Sequence, residues 1–340
     1  HAYVRRQRQM CIRDRYDGNE DCEGTPYTYT VTVNPLTGVS FIDDIVVCNG
    51  DFIDNIEFTS TTQGGETTYE WVATGDDIGL DQTDDGSGLI SGFTADNISL
   101  EPLVASITVT PTFTNGGVSS EGDPLTFTIT VNPTAQVDLV DSLDLCNGDT
   151  AVVDFTTSNG GVDSVTTYSW EITDGDSVFA SAALTGAGNI NLPVANDTNA
   201  DLVATVTVTP TYTNDGVDCT GPSEEFTITV SPTAQVDQVD DIVVCNGDEV
   251  AEIVFATTSE NDIAYSWSID TEIGTQSLTG VGNIPLFEAD NDTNDPIVAI
   301  VTVTPSNDET DPSLTCEGSS IEFTITVNPT AQVDLVDSLD

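Results

Sequence analysis

Strict alternation of apolar and polar residues dominates the chain. Leu125-Thr-Phe-Thr-Ile-Thr-Val131 and Ala204-Thr-Val-Thr-Val-Thr-Pro210 set Thr at every second position between apolar neighbours. A period of two sends successive side chains to opposite faces, so these segments predict strands with one buried and one wet face. No segment sustains helical spacing. From Thr134 to Pro232 the pattern predicts seven strands, near Gln136–Asp141, Ala151–Thr157, Thr167–Ile172, Val178–Leu184, Ile190–Val194, Leu202–Thr213 and Glu225–Val230. Clusters such as Ser158-Asn-Gly-Gly161 and Asn214-Asp-Gly216 supply the positive φ angles and Asx turns between them.

The pattern recurs. Val-Asn-Pro or Val-Ser-Pro ends at Pro35, Pro133, Pro232 and Pro329, Trp recurs at 71, 170 and 267, and Cys-Asn-Gly-Asp begins at Cys48, Cys146 and Cys245. A period near one hundred residues exceeds a solenoid repeat and suits one small domain per repeat. The expected organisation is a head (1–15), the last strand of a truncated unit (16–35), three complete units (36–133, 134–232 and 233–329) and the start of a fourth (330–340). Phe127–Asp144 is identical to Phe323–Asp340, which points to recent duplication within a longer array. Seven strands around a Trp predict an all-β, tandem array of immunoglobulin-like β-sandwiches, with Trp71, Trp170 and Trp267 as core anchors. The alternative for each Trp is an exposed aromatic that contacts sugar.

Charge narrows the function. The sequence holds 58 Asp and Glu against five basic residues, a formal net charge of −53. Those five are Arg5, Arg6, Arg8, Arg13 and Arg15; setting aside this head and its single acid, Asp14, leaves 57 carboxylates and no basic side chain. The head resembles a translated sequencing-adapter string and is left out of fold reasoning; its alternative is a basic targeting or nucleic-acid arm. Without Lys or Arg the repeats cannot neutralise phosphates, which excludes nucleic acid and disfavours anionic membranes. Ion pairs and lysine isopeptide cross-links are excluded too. Catalysis is not expected, because past the head there is no His or Lys to serve as base for a Ser or Cys nucleophile. Gly186-Ala-Gly188 and Gly280-Val-Gly282 read as turn residues, since no helix follows to form a dinucleotide fingerprint.

Several phrases in order carry a family resemblance: Cys146-Asn-Gly-Asp149, Tyr168-Ser-Trp170 with Asp174-Gly-Asp176, Val206-Thr-Val-Thr-Pro210, Cys219-Thr-Gly-Pro222 and Phe226-Thr-Ile-Thr-Val-Ser-Pro232. The set resembles the PKD-like, immunoglobulin-like repeats of large secreted Bacteroidetes surface proteins, including gliding-adhesin-like proteins exported by the type IX route. The resemblance implies stalk or spacer repeats of an extracellular adhesin or filament, whose partners are neighbouring repeats. Two readings stand beside it: polysaccharide-binding accessory domains, and filament subunits that assemble with other copies by strand complementation. Few aromatics in the loops favour the stalk.

Six cysteines follow the head. Pairing within units gives Cys146–Cys219 and Cys245–Cys316, leaving Cys48 without a partner because Ser120 stands where the other units have Cys. The alternatives are bonds across junctions, Cys22–Cys48 and Cys219–Cys245, or free thiols. In a plain sandwich the loops that hold the two cysteines of a unit lie at opposite poles, so pairing within a unit requires an irregular first strand. Paired cysteines favour an oxidising, extracellular compartment, and without His or C-x-x-C no zinc site is expected.

Acid clusters offer calcium as the one expected cation, since hard cations need several converging oxygens. The candidates are Asp290, Asp292, Asn294 and Asp295; their counterparts Asp197, Asn199 and Asp201, with Asp96, Asn97 and Glu101 in the first unit; the loop holding Asp76, Asp77, Asp81, Asp84 and Asp85; and the junction residues Asp138, Asp141 and Asp144. None matches an EF-hand, and solvated loops are the alternative. Asn97, Asn196 and Asn291 open one N-glycosylation sequon per unit. Ser142, Thr150 and Ser164 lie in Asp-Ser/Thr-apolar triplets that resemble the Bacteroidetes O-glycosylation signal.

Overall fold

The computed structural model describes residues 29, 31, 33–80, 85–179, 184–307 and 315–332. They divide into two compact units, His1–Pro133 and Thr134–Asp340. The head, Cys22, Asp81, Asp84 and the last eight residues lie outside the described residues.

The first unit contains β1 (Ile45–Cys48), β2 (Phe52–Ile53), β3 (Glu66–Gly75), β4 (Asp85–Ser87), β5 (Phe93–Thr94), β6 (Leu103–Asn115), β7 (Val118–Glu121) and β8 (Leu125–Asn132). The main sheet runs β1-β8-β6-β3-β4 with β7 added to the end of β6, and β2 pairs β5 as a thin second layer. Along β6 burial alternates between fully buried Ala105, Ile107, Val109 and Phe113 and their half-buried Ser and Thr neighbours. Period two therefore produces the face it predicts.

The second unit repeats this plan twice. The 134–232 repeat carries β9 (Leu143–Cys146), β10 (Thr150–Val153), β11 (Val165–Asp174), β12 (Thr185–Ala187), β13 (Ile190–Pro193), β14 (Leu202–Asn214), β15 (Val217–Thr220) and β16 (Glu224–Ser231). The 233–329 repeat carries β17 (Ile242–Cys245), β18 (Glu249–Val250), β19 (Ile263–Ile269), β20 (Thr279–Val281), β21 (Phe287–Glu288), β22 (Ile297–Asn307) and β23 (Ile321–Asn328). Their main sheets run β12-β11-β14-β16-β9 and β17-β23-β22-β19-β20, and each faces a two-stranded layer, β10-β13 or β18-β21. The described residues contain no α-helix. The chain is a tandem array of immunoglobulin-like β-sandwich repeats.

Four details differ from the strands expected in the 134–232 repeat. Gln136–Asp141 is not a strand: Val137 and Val140 pack on the core while Leu139 is 89% exposed, a spacing of three that no pleat can satisfy. The edge strand is β9 instead, and it runs parallel to β16. Of Val178–Leu184 the described part holds the end of a 3-10 turn, Asp176–Val178, and a bridge from Phe179 to Val194. The short strands β12 and β15 fall in stretches the pattern left as turns.

Each Trp lies in its repeat's core, Trp71 at 1% exposure and Trp170 and Trp267 at 7%. The glycine opposite it across the sheet, Gly86, Gly186 or Gly280, sits against the indole so closely that a Cβ would overlap ring carbons. The first glycines of Gly186-Ala-Gly188 and Gly280-Val-Gly282 are therefore packing residues, and only the second, at φ 70° and 71°, are turn residues.

Candidate functional site

The parallel edge strand brings the Cys-Asn-Gly-Asp tetrad to one pole of every repeat. Cys146 pairs with Ser231, the last residue of β16, and Cys245 pairs with Asn328 of β23. Each tetrad residue then has a distinct task. The Asp closes the turn, with Asp149 Oδ2 accepting from Cys146 N at 2.9 Å and Asp248 Oδ2 from Cys245 N at 2.9 Å. Gly148 and Gly247 take φ values of 90° and 85°, which a Cβ would strain. The Asn side chain accepts: Asn147 Oδ1 from Asn196 N at 2.8 Å, and Asn246 Oδ1 from Asn291 N at 2.9 Å. Cys48-Asn-Gly-Asp51 repeats this arrangement in the first unit, with Asn49 Oδ1 accepting from Asn97 N at 2.8 Å.

The tetrad is thereby locked to the Asn-x-Ser/Thr triplet. Asn196 is 2% exposed, and its Nδ2 donates to Ala200 O at 2.8 Å and Val230 O at 2.7 Å. Its Oδ1 accepts from Thr198 N at 3.0 Å and Thr198 Oγ1 at 2.6 Å. Asn97 and Asn291 do the same with Ser99 and Thr293. Both amide hydrogens of Asn97, Asn196 and Asn291 are given to carbonyls inside the fold, so in the folded chain none of the three Nδ2 atoms is open to a glycan. A glycan on Nδ2 would strip bonds from a buried carbonyl and has no way out. The hydroxyl residues lie otherwise: Thr150 and Ser142 are exposed, the latter taking Thr227 Oγ1 at 2.9 Å, and Ser164 donates to Gly161 O at 3.1 Å.

The disulfides correct the expected pairing. Cys146 bonds to Cys316 of the following repeat, with Cα atoms 5.4 Å apart, and Cys245 is free and exposed. Cys146–Cys219 and Cys245–Cys316 are therefore not formed. The reason lies in the sheet: Cys146 sits at the Val230–Leu202 end, whereas Cys219 of β15 pairs with Tyr212. The ten steps from Leu202 to Tyr212, at about 3.3 Å each, separate the two cysteines by roughly 30 Å. Bonded cysteines need Cα atoms within about 7 Å. Cys48 and Cys219 are each disulfide-bonded as well.

The junction explains how Cys316 reaches Cys146. After Ser231 the chain continues through Pro232 and Thr233 to Ala234, which is 1% exposed and lies against Gly318 with no room for a Cβ between them. Gly318 stands two residues beyond Cys316, so the hairpin that bears Cys316 is held against the linker that leaves the tetrad's pole. Asn147 Nδ2 fixes that linker by donating to Thr233 Oγ1 at 3.0 Å, and Asn307 Nδ2 donates to Pro232 O at 3.3 Å. Two more bonds cross the junction, Glu260 N to Asn199 O at 2.8 Å and Asn261 Nδ2 to Asp201 Oδ1 at 2.7 Å.

Among the described residues no three His, Cys, Asp or Glu side chains converge as a metal site would require. Asp290, Asp292, Asn294, Asp295, Asp197, Asn199, Asp85, Asp141 and Asp144 are exposed. Asp76, Asp77 and Asp138 serve as acceptors for Val104 N at 2.8 Å, Gly79 N at 3.1 Å and Thr156 Oγ1 at 2.7 Å. Two carboxylates that sequence reasoning passed over stand at the entry to the edge strand. Asp44 accepts from Thr128 N at 2.6 Å and Asp241 from Thr324 N at 2.7 Å, and these backbone bonds, helped by the Thr side chains, hold both below the ordinary Asp range.

No protein-family model matches the chain, and no curated protein is significantly similar to it. Solved structures do resemble it. Three N-terminal domains of the bacteriophage RB49 highly immunogenic outer capsid protein match at TM-score 0.39 and 15% identity, over 87% of this chain and 99% of that one. Mouse protocadherin-24 EC1-3 matches at TM-score 0.34 and 12% identity, over 90% and 100%. The human desmocollin-1 ectodomain matches at TM-score 0.32 and 12% identity; the match covers 87% of this chain and 61% of that ectodomain.

Proposed function

We propose that the chain is a run of non-catalytic spacer repeats from an extracellular bacterial surface adhesin or filament, of the PKD-like Bacteroidetes kind. The observation that carries this reading is the Cys146–Cys316 bond between consecutive repeats. A bond within a repeat would protect only that repeat, whereas one between repeats transmits load past the linker. Closing 170 residues also constrains the unfolded chain by about 5 kcal/mol in the chain-entropy account. Disulfides of this kind fit an oxidising compartment outside the cytosol. A glycan-binding role has less support, since the exposed aromatics among the described residues, Tyr29, Phe41 and Phe52, all precede the 134–232 repeat.

Pulling single molecules of the full chain by its ends tests the reading. Reduction should lengthen the stretched chain by at least roughly 600 Å, as the 170 residues enclosed by the Cys146–Cys316 staple are released at about 3.5 Å each. Equal contour lengths before and after reduction would show that the staple bears no load. Specific, saturable binding to one sugar on a glycan array would replace the spacer reading with the accessory-domain one.

A further inference from the structure

The free thiol of Cys245 stands in a site that repeats the local backbone arrangement of Cys146. Its strand pairs β23 in parallel as β9 pairs β16, and its amide is capped by Asp248 as that of Cys146 is by Asp149. The linker that follows begins with the same bond. Asn246 Nδ2 donates to Thr330 Oγ1 at 2.9 Å, as Asn147 Nδ2 donates to Thr233 Oγ1 at 3.0 Å. Thr330-Ala-Gln332 repeats Thr233-Ala-Gln235, and Asn294 stands where Asn199 receives Glu260 N from the next repeat. At Cys146 this arrangement ends in a bond to Cys316, whereas Cys245 has none and is exposed.

We infer that Cys245 is a covalent docking site for the hairpin cysteine of a further repeat of this kind that continues from Thr330. The partner is recognised by two features seen in Cys316-Glu-Gly318: a cysteine on the hairpin before the last strand, and a glycine two residues on, against which the entering linker packs. Two thiols lose two protons and two electrons as the Sγ–Sγ bond forms, and a low-molecular-weight disulfide takes them up to become two thiols. The inference rests on the spacer reading and extends it by making each repeat both donor and acceptor of a staple. Its failure would leave Cys146–Cys316 and the spacer reading untouched.

Because Phe323–Asp340 is identical to Phe127–Asp144, appending a second copy of residues 145–232 after Asp340 completes such a repeat without a foreign join. In the appended copy the tetrad cysteine is replaced by Ser, so that its only cysteine is the hairpin one. After refolding with oxidised glutathione the extended chain should have one alkylatable thiol fewer than the parent, although it has gained a cysteine. Asp- or Glu-specific digestion should recover Cys245 in a disulfide-linked peptide. A matched extension with Ser at the hairpin position, as at Ser120, should leave Cys245 alkylatable. If the appended repeat folds, shown by protection of its Trp-bearing strand from proteolysis, and Cys245 still reacts, the inference is wrong. Intermolecular dimers through Cys245 would overturn it in favour of a second copy as partner.

Discussion

Cys146 and Cys245 occupy the same place in consecutive repeats, on the same parallel edge strand and under the same Asp cap, yet one is bonded and the other free. Since the surrounding hydrogen bonds agree within about 0.1 Å, the staple does not build the pole. The polar side chains form the same pole with the disulfide and without it. Stiffness between repeats and stability within a repeat therefore come from separable devices.

The largest effect that would break this comparison is loss of the buried Asn. Asn196→Ala and Asn291→Ala each remove donors to two carbonyls and leave Val230 O or Val327 O buried without its partner, a cost of about 3 kcal/mol per repeat. Denaturant unfolding of each variant should show near-equal losses in the two repeats. A much smaller loss for Asn196→Ala would mean that the Cys146–Cys316 bond holds the pole, and the two devices would not be separable.

Much of this was legible in the sequence, and the gaps have physical causes. Long strands such as β6 and β14 declare themselves because thirteen residues of alternation leave little choice. Phe52–Ile53 and Glu249–Val250 are too short to display any period. The cysteine pairing was lost because alternation says nothing about which strands pair in parallel, and the parallel edge strand decides which pole Cys146 occupies. One signal was available: Ser120 removes the partner expected for Cys48 within its own repeat, which argues against pairing within repeats generally. Asn-x-Ser/Thr read as a modification signal because a triplet does not reveal burial; its recurrence once per repeat alongside the Asn of the tetrad was the clue to a structural lock.

Glycine opposite tryptophan offers a smaller and purely internal test. Gly186→Ala and Gly280→Ala would drive a methyl into Trp170 or Trp267, and overpacking of this kind costs about 2 kcal/mol. The change lies in the core and not at the pole, so the losses should be equal in the two repeats and unaffected by reduction, with a shift in indole fluorescence. Dependence on the redox state would tie the core to the staple.

The smallest effect separates the repeats by chemistry. Where Asp44 and Asp241 cap the last strand, the middle repeat has Ser142, whose hydroxyl lies 3.4 Å from Thr227 N. A carboxylate held below its ordinary value near 3.8 by a backbone N–H stabilises the fold above that value, and the contribution disappears as pH falls through the lower folded value. Total stability in acid will not show this, because protonation of the other carboxylates also relieves repulsion across a chain of net charge −53. The difference between variants removes that shared background. Asp241→Ser should lower the melting temperature at pH 7, and the gap from the parent should narrow below about pH 4. Ser142→Asp should open a gap of opposite sign that closes over the same range. A gap that stays constant from pH 7 to pH 2.5 would show that the Thr324 amide does not depend on the charge of Asp241.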